Sequence, residues 1–453
     1  MPESKGTTNK EREKEQAEAF SAMYSNQVGV NFGKGLADPF VSVLALDLGA
    51  TAPQLGWLNA VTNFFPAVMQ VPWGKLSDFF GRRVPFLVIG GILSFLMYFF
   101  MVGSADAWQL IFFVSIQLAV GSMMIPTWYA LVGDRSTPGS RGYVMSRFFV
   151  VSSLASIIAT LIGGAVASSV ESSSVLAKYS LPFFMAGISG ILGSVMVYKV
   201  KEEKRRLHAS PRRIFAFGLK SFLFTSNLTE NKYFRNLVIL NATFNFLMSL
   251  VWPILYMTYV DVLGASLWQI GVMTVISTGA TILFQLKVGK LLDLIGPMPQ
   301  ILISRFAFIS VPIVYALATE VWHIYVLNAA LGFASAMANV AFFAYILDVA
   351  PEEKKAEYFA VYNTMIGLAT FVGCIIGGYL AAYFIDRINV DGVLTVHELV
   401  VALGAVYAIS AFGRAAGSIW FLKLKDPVKY PETLMSVTRK TLKRWRATWL
   451  SPF

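Results

Sequence analysis

GKLSDFFG at 74–81 and GKLLDLIG at 289–296 are one octapeptide written twice, 215 residues apart, and the reading of that pair decides the fold. Working outward at the same displacement, Gln70 falls on Gln285, and LGATAPQLG at 48–56 falls on LGASLWQIG at 263–271. At 214 residues Pro39 meets Pro253, Asp134 meets Asp348, and the pair Gly163-Gly164 meets Gly377-Gly378. Several independent matches at one displacement identify an internal duplication.

The duplicated unit is apolar and helical. Of the 453 residues 56% are hydrophobic and only 14% charged, a composition that suits lipid as solvent and excludes an ordinary soluble domain. A helix needs about 20 mostly apolar residues to cross the hydrocarbon core. Twelve such runs are predicted, over 22–46, 55–74, 84–103, 108–132, 144–169, 179–199, 236–260, 269–288, 298–319, 322–347, 358–384 and 398–422. The expected fold is an all-α membrane protein with twelve transmembrane helices in two six-helix halves, 22–199 and 236–422. Around them lie an N-terminal tail (1–21), a polar linker (200–235) and a basic C-terminal tail (423–453). No short apolar segment with a small-residue cleavage site precedes the first span, so no cleaved signal peptide is expected.

The formal net charge is +11, which in a soluble chain would suggest nucleic acid. Its distribution points elsewhere. Of 37 lysines and arginines, two (Lys178 and Arg387) fall in odd-numbered loops and three (Lys34, Arg305 and Arg414) inside spans. The other 32 lie in or beside the tails and even-numbered loops. By the positive-inside rule both termini are cytoplasmic in a cell membrane. The basic segments are then expected to attract anionic lipid rather than nucleic acid. Leu434, Val437, Leu442, Trp445 and Trp449, interleaved with arginine and lysine, predict an interfacial helix in the C-terminal tail, and 212–224 reads similarly.

Gly74, Leu76, Asp78, Gly81, Arg82 and Arg83, in the short connection between the second and third spans, resemble the signature loop of the major facilitator superfamily. Each residue type has a physical reason. Glycine allows the tight reversal, an aspartate accepts hydrogen bonds from helix amides, and arginine holds to the inner phosphate layer. DRSTPGSRG at 134–142 resembles the connection between helices 4 and 5 in the same family. The resemblance covers about 22–422 and implies two bundles of inverted repeats that rock around a central cavity. It also implies a latch that holds one access state. The second copy retains Gly289, Asp293 and Gly296 but has Pro297 and Met298 in place of the arginines. Proton-linked drug exporters in this family often carry Gly-Pro where Ala159-Thr160 stands, and the longer motif of sugar carriers is replaced by KEEKRRL after the sixth span. The family resemblance therefore implies transport without naming a substrate.

Charged side chains inside a bilayer cost about 2.5–3.5 kcal/mol each on insertion scales, so those retained have a partner or a task. Gln27, Asn31, Lys34 and Asp38 stand at i, i+4, i+7 and i+11, on one face of the first helix. The matching stripe on the seventh is Asn241, Asn245, Met248 and Trp252. Pro39 and Pro253 follow these stripes, and each frees a carbonyl one turn earlier, at Gly35 and Ser249. The candidate substrate or proton-coupling residues are thus Asn31, Lys34, Asp38, Asn245 and Trp252, with Gln70 and Gln285 at the duplicated positions. Lys34 and Asp38 could instead neutralise each other as a structural i, i+4 pair. Asn63, Gln117, Asn339 and Asn363 read as amides that bridge helices or line the cavity. Arg305 and Arg414 are expected to snorkel to the interface.

Three histidines and Cys374 form no metal or haem pattern, and no GxxxxGK[ST] loop for nucleotide is present, so neither metal nor cofactor is expected. The function expected is secondary transport of a small solute by alternating access, with the proton as candidate coupling ion. A proton-linked multidrug exporter stays open. So does, from another class, a non-transporting receptor or enzyme on the same scaffold, although no nucleophile, base and oxyanion set is visible.

Overall fold

A computed structural model describes residues 9–136, 141–170, 175–202, 231–351, 354–389 and 394–424. The predicted interfacial segments at 212–224 and 434–449 lie outside these residues.

Among the described residues there is no strand. Within the described residues twelve helical runs follow one another. α1 spans Asn9–Ala37 and continues through a 3-10 turn, Asp38–Phe40, into Val41–Asp47. α2 is Ala52–Phe80 and α3 Val84–Val102. α4 comprises Ala107–Gly121 and Met124–Arg135, α5 is Arg141–Ser169 and α6 Val175–Met196. In the second half α7 comprises Lys232–Ser249, Trp252–Met257 and a π turn at Thr258–Val262, and α8 is Leu267–Ile295. α9 comprises Pro297–Ala307 and Ser310–Leu317, α10 is Val321–Val349, α11 Lys355–Ile388 and α12 Val396–Phe421. Ten of these are long and apolar enough to cross a membrane. The two that fall short, α1 and α2, carry Gln27, Asn31, Lys34, Asn59, Asn63 and Gln70. α1 also begins at Asn9 and not near 22, because KEREKEQAEAF is built from strong helix formers.

The duplication is visible in the backbone. Among the described residues the glycines with positive φ are Gly49 (78°), Gly81 (64°), Gly264 (59°) and Gly296 (79°), which are two pairs at the 215-residue displacement. Only glycine takes that region without strain, so the same turns are encoded twice. α2 and α8 each open with a capping box, Thr51 with Gln54 and Ser266 with Gln269. Packing partners recur as well. α1 lies against α5 and α6 as α7 lies against α11 and α12. α2 meets α4 and α3 meets α6, as α8 meets α10 and α9 meets α12. The first six helices meet the last six chiefly through α2 on α11 and α5 on α8.

These two contacts are tightest at one end of the bundle. A Cβ on Gly378 would lie 2.6 Å from the Ala52 carbonyl and 3.0 Å from the Gly56 Cα. A Cβ on Gly164 would lie 3.2 Å from the Leu267 carbonyl, and Ser168 Oγ accepts from the Trp268 amide at 2.9 Å. At the other end, which carries the octapeptide loops, a Cβ on Gly289 of α8 would meet no atom within 4 Å. The helices therefore meet at one end and part at the other.

Candidate functional site

The parting leaves a cavity of about 1000 Å³. Its walls come from α2 (Ala67, Gln70), α4 (Pro126, Tyr129), α7 (Asn241, Asn245, Met248), α9 (Arg305, Phe308), α10 (Ser335, Asn339, Phe342, Phe343) and α11 (Phe359, Tyr362, Asn363, Ile366). Except near the middle of α9, these residues lie in the half of each helix nearer the octapeptide loops. A smaller cavity of about 320 Å³, lined by Gln27, Asn31, Ser152 and Thr278 among others, shares Tyr129 with it.

Of the residues predicted from the sequence, Gln70 and Asn245 line the large cavity and Asn31 the smaller one. Asn31 Nδ2 donates to Gln27 Oε1 at 3.1 Å, and Ser152 Oγ of α5 donates to that same oxygen at 2.8 Å. Trp252 opens the helix after the α7 break and packs on the main apolar core, and Gln285 is half-buried on α8; neither lines a described cavity. Asn339 and Asn363 are cavity walls.

Lys34 and Asp38 do not form the i, i+4 pair that an unbroken helix would give. α1 ends at Ala37, whose φ of −121° turns Asp38 out of the helical register. Asp38 Oδ1 instead accepts from the phenol of Tyr98 on α3, and among the described residues Lys34 makes no ion pair with it. The helix after the α7 break, Trp252–Met257, packs against Val41–Asp47, so the break in α1 faces the second half. Pro39 leaves the Gly35 carbonyl without its helical donor, as the sequence predicts, and Thr160 Oγ1 of α5 donates to it at 3.0 Å. Thr160 stands near where drug exporters of the family often carry Gly-Pro, and its hydroxyl has a structural task there.

The first octapeptide loop is held by charge. Arg83 pairs with Asp78, and its Nη1 donates to Ser77 Oγ at 3.0 Å. Gly81 supplies the left-handed C-cap of α2. Glu202, just past α6, accepts from the Arg83 and Val84 amides at 2.5 and 2.9 Å and so caps α3, a contact no local sequence signal announces. Arg82 is exposed, and Gly74 has only Pro126 for a neighbour. In the second loop Asp293 is exposed with no partner among the described residues, and Pro297 begins α9 directly after Gly296. A proline at the first helical position has no amide to cap, so this loop needs no carboxylate.

Arg305 and Arg414 correct the snorkelling expectation, because both are buried, at 4% and 1% exposure. Arg414 on α12 gives Nη1 to the Phe308 carbonyl at 2.8 Å, Nη2 to the Met248 carbonyl at 3.0 Å and Nε to Ser410 Oγ at 3.1 Å. Those carbonyls are the ones orphaned where α9 and α7 break. Arg305 differs. Its guanidinium lies 4.5 Å from the Phe244 ring centroid and 4.6 Å from that of Phe342, its Nε is buried without a partner, and among the described residues it has no hydrogen bond or ion pair. Nearby, Asn245 Nδ2 donates to Asn241 Oδ1 at 3.1 Å, and Asn241 Nδ2 donates to the Tyr362 hydroxyl at 2.5 Å.

The profile of the Major Facilitator Superfamily matches residues 23–319 and again 237–453. An uncharacterized MFS-type transporter of Methanocaldococcus jannaschii is 24% identical over 354 residues, 77% of this chain and 87% of its own. The multidrug resistance protein MdtG of Proteus mirabilis is 23% identical over 369 residues, 78% of this chain and 86% of its own. Among solved structures, a bacterial homolog of the human lysosomal transporter Spinster superposes with a TM-score of 0.65 at 17% identity, covering 93% of this chain and all of that one.

Proposed function

The chain belongs to the major facilitator superfamily, and within it we propose a secondary active transporter that carries a small solute by alternating access with protons as coupling ion. The observation that carries this reading is the asymmetry of the bundle. A cavity of about 1000 Å³ lies toward one end while backbone contacts at Gly56, Gly164 and Gly378 seal the other. Two similar bundles meeting at one end are built to exchange that seal for its counterpart. By the positive-inside rule, the surplus of lysine and arginine in the tails and even-numbered connections supports the octapeptide end as the cytoplasmic side of a cell membrane, with both termini inside. The state described is then open to the cytoplasm.

Asp38 is the coupling group in this proposal, because it sits at the α1 break between the halves, held by Tyr98 and near Lys34, where movement of either half changes its hydration. Purified protein in sealed proteoliposomes should accumulate a solute when a pH gradient is imposed. Asp38→Asn should abolish that accumulation while exchange at equal concentrations persists. Loss of both, with the fold intact, would remove Asp38 from coupling. Cysteines introduced at Ser210 and Asp386, in a chain lacking Cys374, should react with an impermeant reagent only from inside and only from outside respectively; the reverse pattern would overturn the orientation.

A multidrug exporter is the second reading, favoured by the relative named as a multidrug resistance protein and by the aromatic cavity wall. Efflux of several unrelated dyes from cells expressing the chain would select it.

A further inference from the structure

Arg305 is a cation inside the protein without a counter-charge. Burying a charge costs several kcal/mol, and the guanidinium carries five N–H donors in one plane. The rings of Phe244 and Phe342 can offset about 2 kcal/mol through the guanidinium face. They offer nothing to the donors at its edge, and the buried Nε has no acceptor. Among the residues that line the large cavity Arg305 is the sole charged one, and no aspartate or glutamate faces it.

Its surroundings strengthen the positive field. Arg414 binds the carbonyl of Phe308, whose ring lies 5.7 Å from the Arg305 guanidinium, so a second cation sits just behind the first. Carbonyls satisfy its donors and leave its charge in place. From the other side comes a chain of donors that all run one way, Asn245 to Asn241 to the Tyr362 oxygen. A hydroxyl that accepts there keeps its own proton to give, and among the described residues nothing takes it. Polarised chains of this kind strengthen the terminal donor. Tyr362 stacks on Phe342 at 6.2 Å, the ring that also carries Arg305, so the two free donors share one corner of the cavity.

We infer that this cavity binds a monoanionic amphiphile, with a carboxylate or similar head seated on Arg305 and Tyr362 and an apolar body against Phe343, Phe359 and Ile366. The assignment rests on reading the cavity as the transport site. A planar guanidinium suits a two-oxygen anion, which can accept two parallel N–H bonds. The volume suits a body of drug size.

The test is equilibrium binding to the full-length protein in phosphatidylcholine nanodiscs, using octanoate, 4-phenylbutyrate and 1-naphthoate, each against its primary amide. At least one acid should bind about ten- to hundredfold tighter than its amide, the worth of a charged hydrogen bond. Arg305→Gln should erase that preference, and Arg305→Lys should reduce it. Tyr362→Phe should cut it by about threefold or more, because the phenol bonds a carboxylate more strongly than an amide carbonyl, and this variant decides the matter if Arg305→Gln does not fold. If no acid outbinds its amide, or the preference survives in the folded Arg305→Gln protein or in Tyr362→Phe, the inference fails. Adding phosphatidylglycerol to the discs separates the sources. Competition that Arg305→Gln removes assigns the anion to a lipid head, and its absence assigns it to a solute in water. Acid-selective binding with no flux of any solute would instead sink the transport reading and leave the site standing.

Discussion

The same device breaks α1 and α7, a proline at matched positions 39 and 253, yet the two halves satisfy the freed backbone differently. In the first half the Gly35 carbonyl takes a neutral hydroxyl from Thr160. In the second, the carbonyls beside the α7 and α9 breaks, Met248 and Phe308, accept from the Arg414 guanidinium, and Leu247 accepts from Ser410 Oγ at 2.8 Å, while the carbonyl that Pro253 itself frees is that of Ser249. One donor thus serves one break in the first bundle, whereas one cation ties α7, α9 and α12 together in the second. The difference teaches that a duplicated sequence preserves the defect in the helix and leaves its repair free to diverge. The bundle that spends no acid on its repair keeps two buried cations, and the first bundle keeps Lys34 and Asp38.

The comparison is sharpest at Arg414. Arg414→Met retains the stem and removes two charge-assisted bonds to carbonyls at the helix breaks, so it should destabilise the purified protein by about 3 kcal/mol or more in reversible denaturant unfolding in detergent. Thr160→Val removes a single neutral bond at the matched break and should cost about 1 kcal/mol by the same measurement. Equal costs would break the contrast between the two repairs.

Smaller effects are expected at the octapeptide loops, where charge holds one copy and proline the other. Asp78→Asn loosens Arg83 and should lower initial transport rates several-fold, with less than about 1 kcal/mol of stability lost, as befits a half-exposed pair. Asp293→Asn should leave both rates and stability within about 0.5 kcal/mol of the parent. A larger loss at Asp293, by flux assay in proteoliposomes, would show the second loop to be the working one.

The helices and their duplication are legible in the chain because both depend on local composition. Apolar runs of sufficient length must be helical in lipid, and Gly49, Gly81, Gly264 and Gly296 punctuate them at positions only glycine tolerates. Freed carbonyls are legible in the same way, since proline removes a donor wherever it stands, and the Gly35 to Thr160 bond meets that expectation.

Which polar groups face which space was decided by packing. The i, i+4 spacing of Lys34 and Asp38 predicts an ion pair only while α1 is taken as continuous, and the turn at Ala37 gives the Asp38 carboxylate to Tyr98 instead. Arg305 and Arg414 read as snorkelling cations because each lies in a span half near an interface. Their burial follows from Phe244, Phe342 and Phe308 closing over one and the broken ends of α7 and α9 receiving the other. Helical period fixes the face on which a residue stands, whereas the neighbours that cover that face come from other helices, as far as 166 residues away for Arg414 and Met248. The cavity and its single charged lining residue, the buried Arg305, are therefore properties of the assembled bundle, and the helices that build it are properties of the sequence.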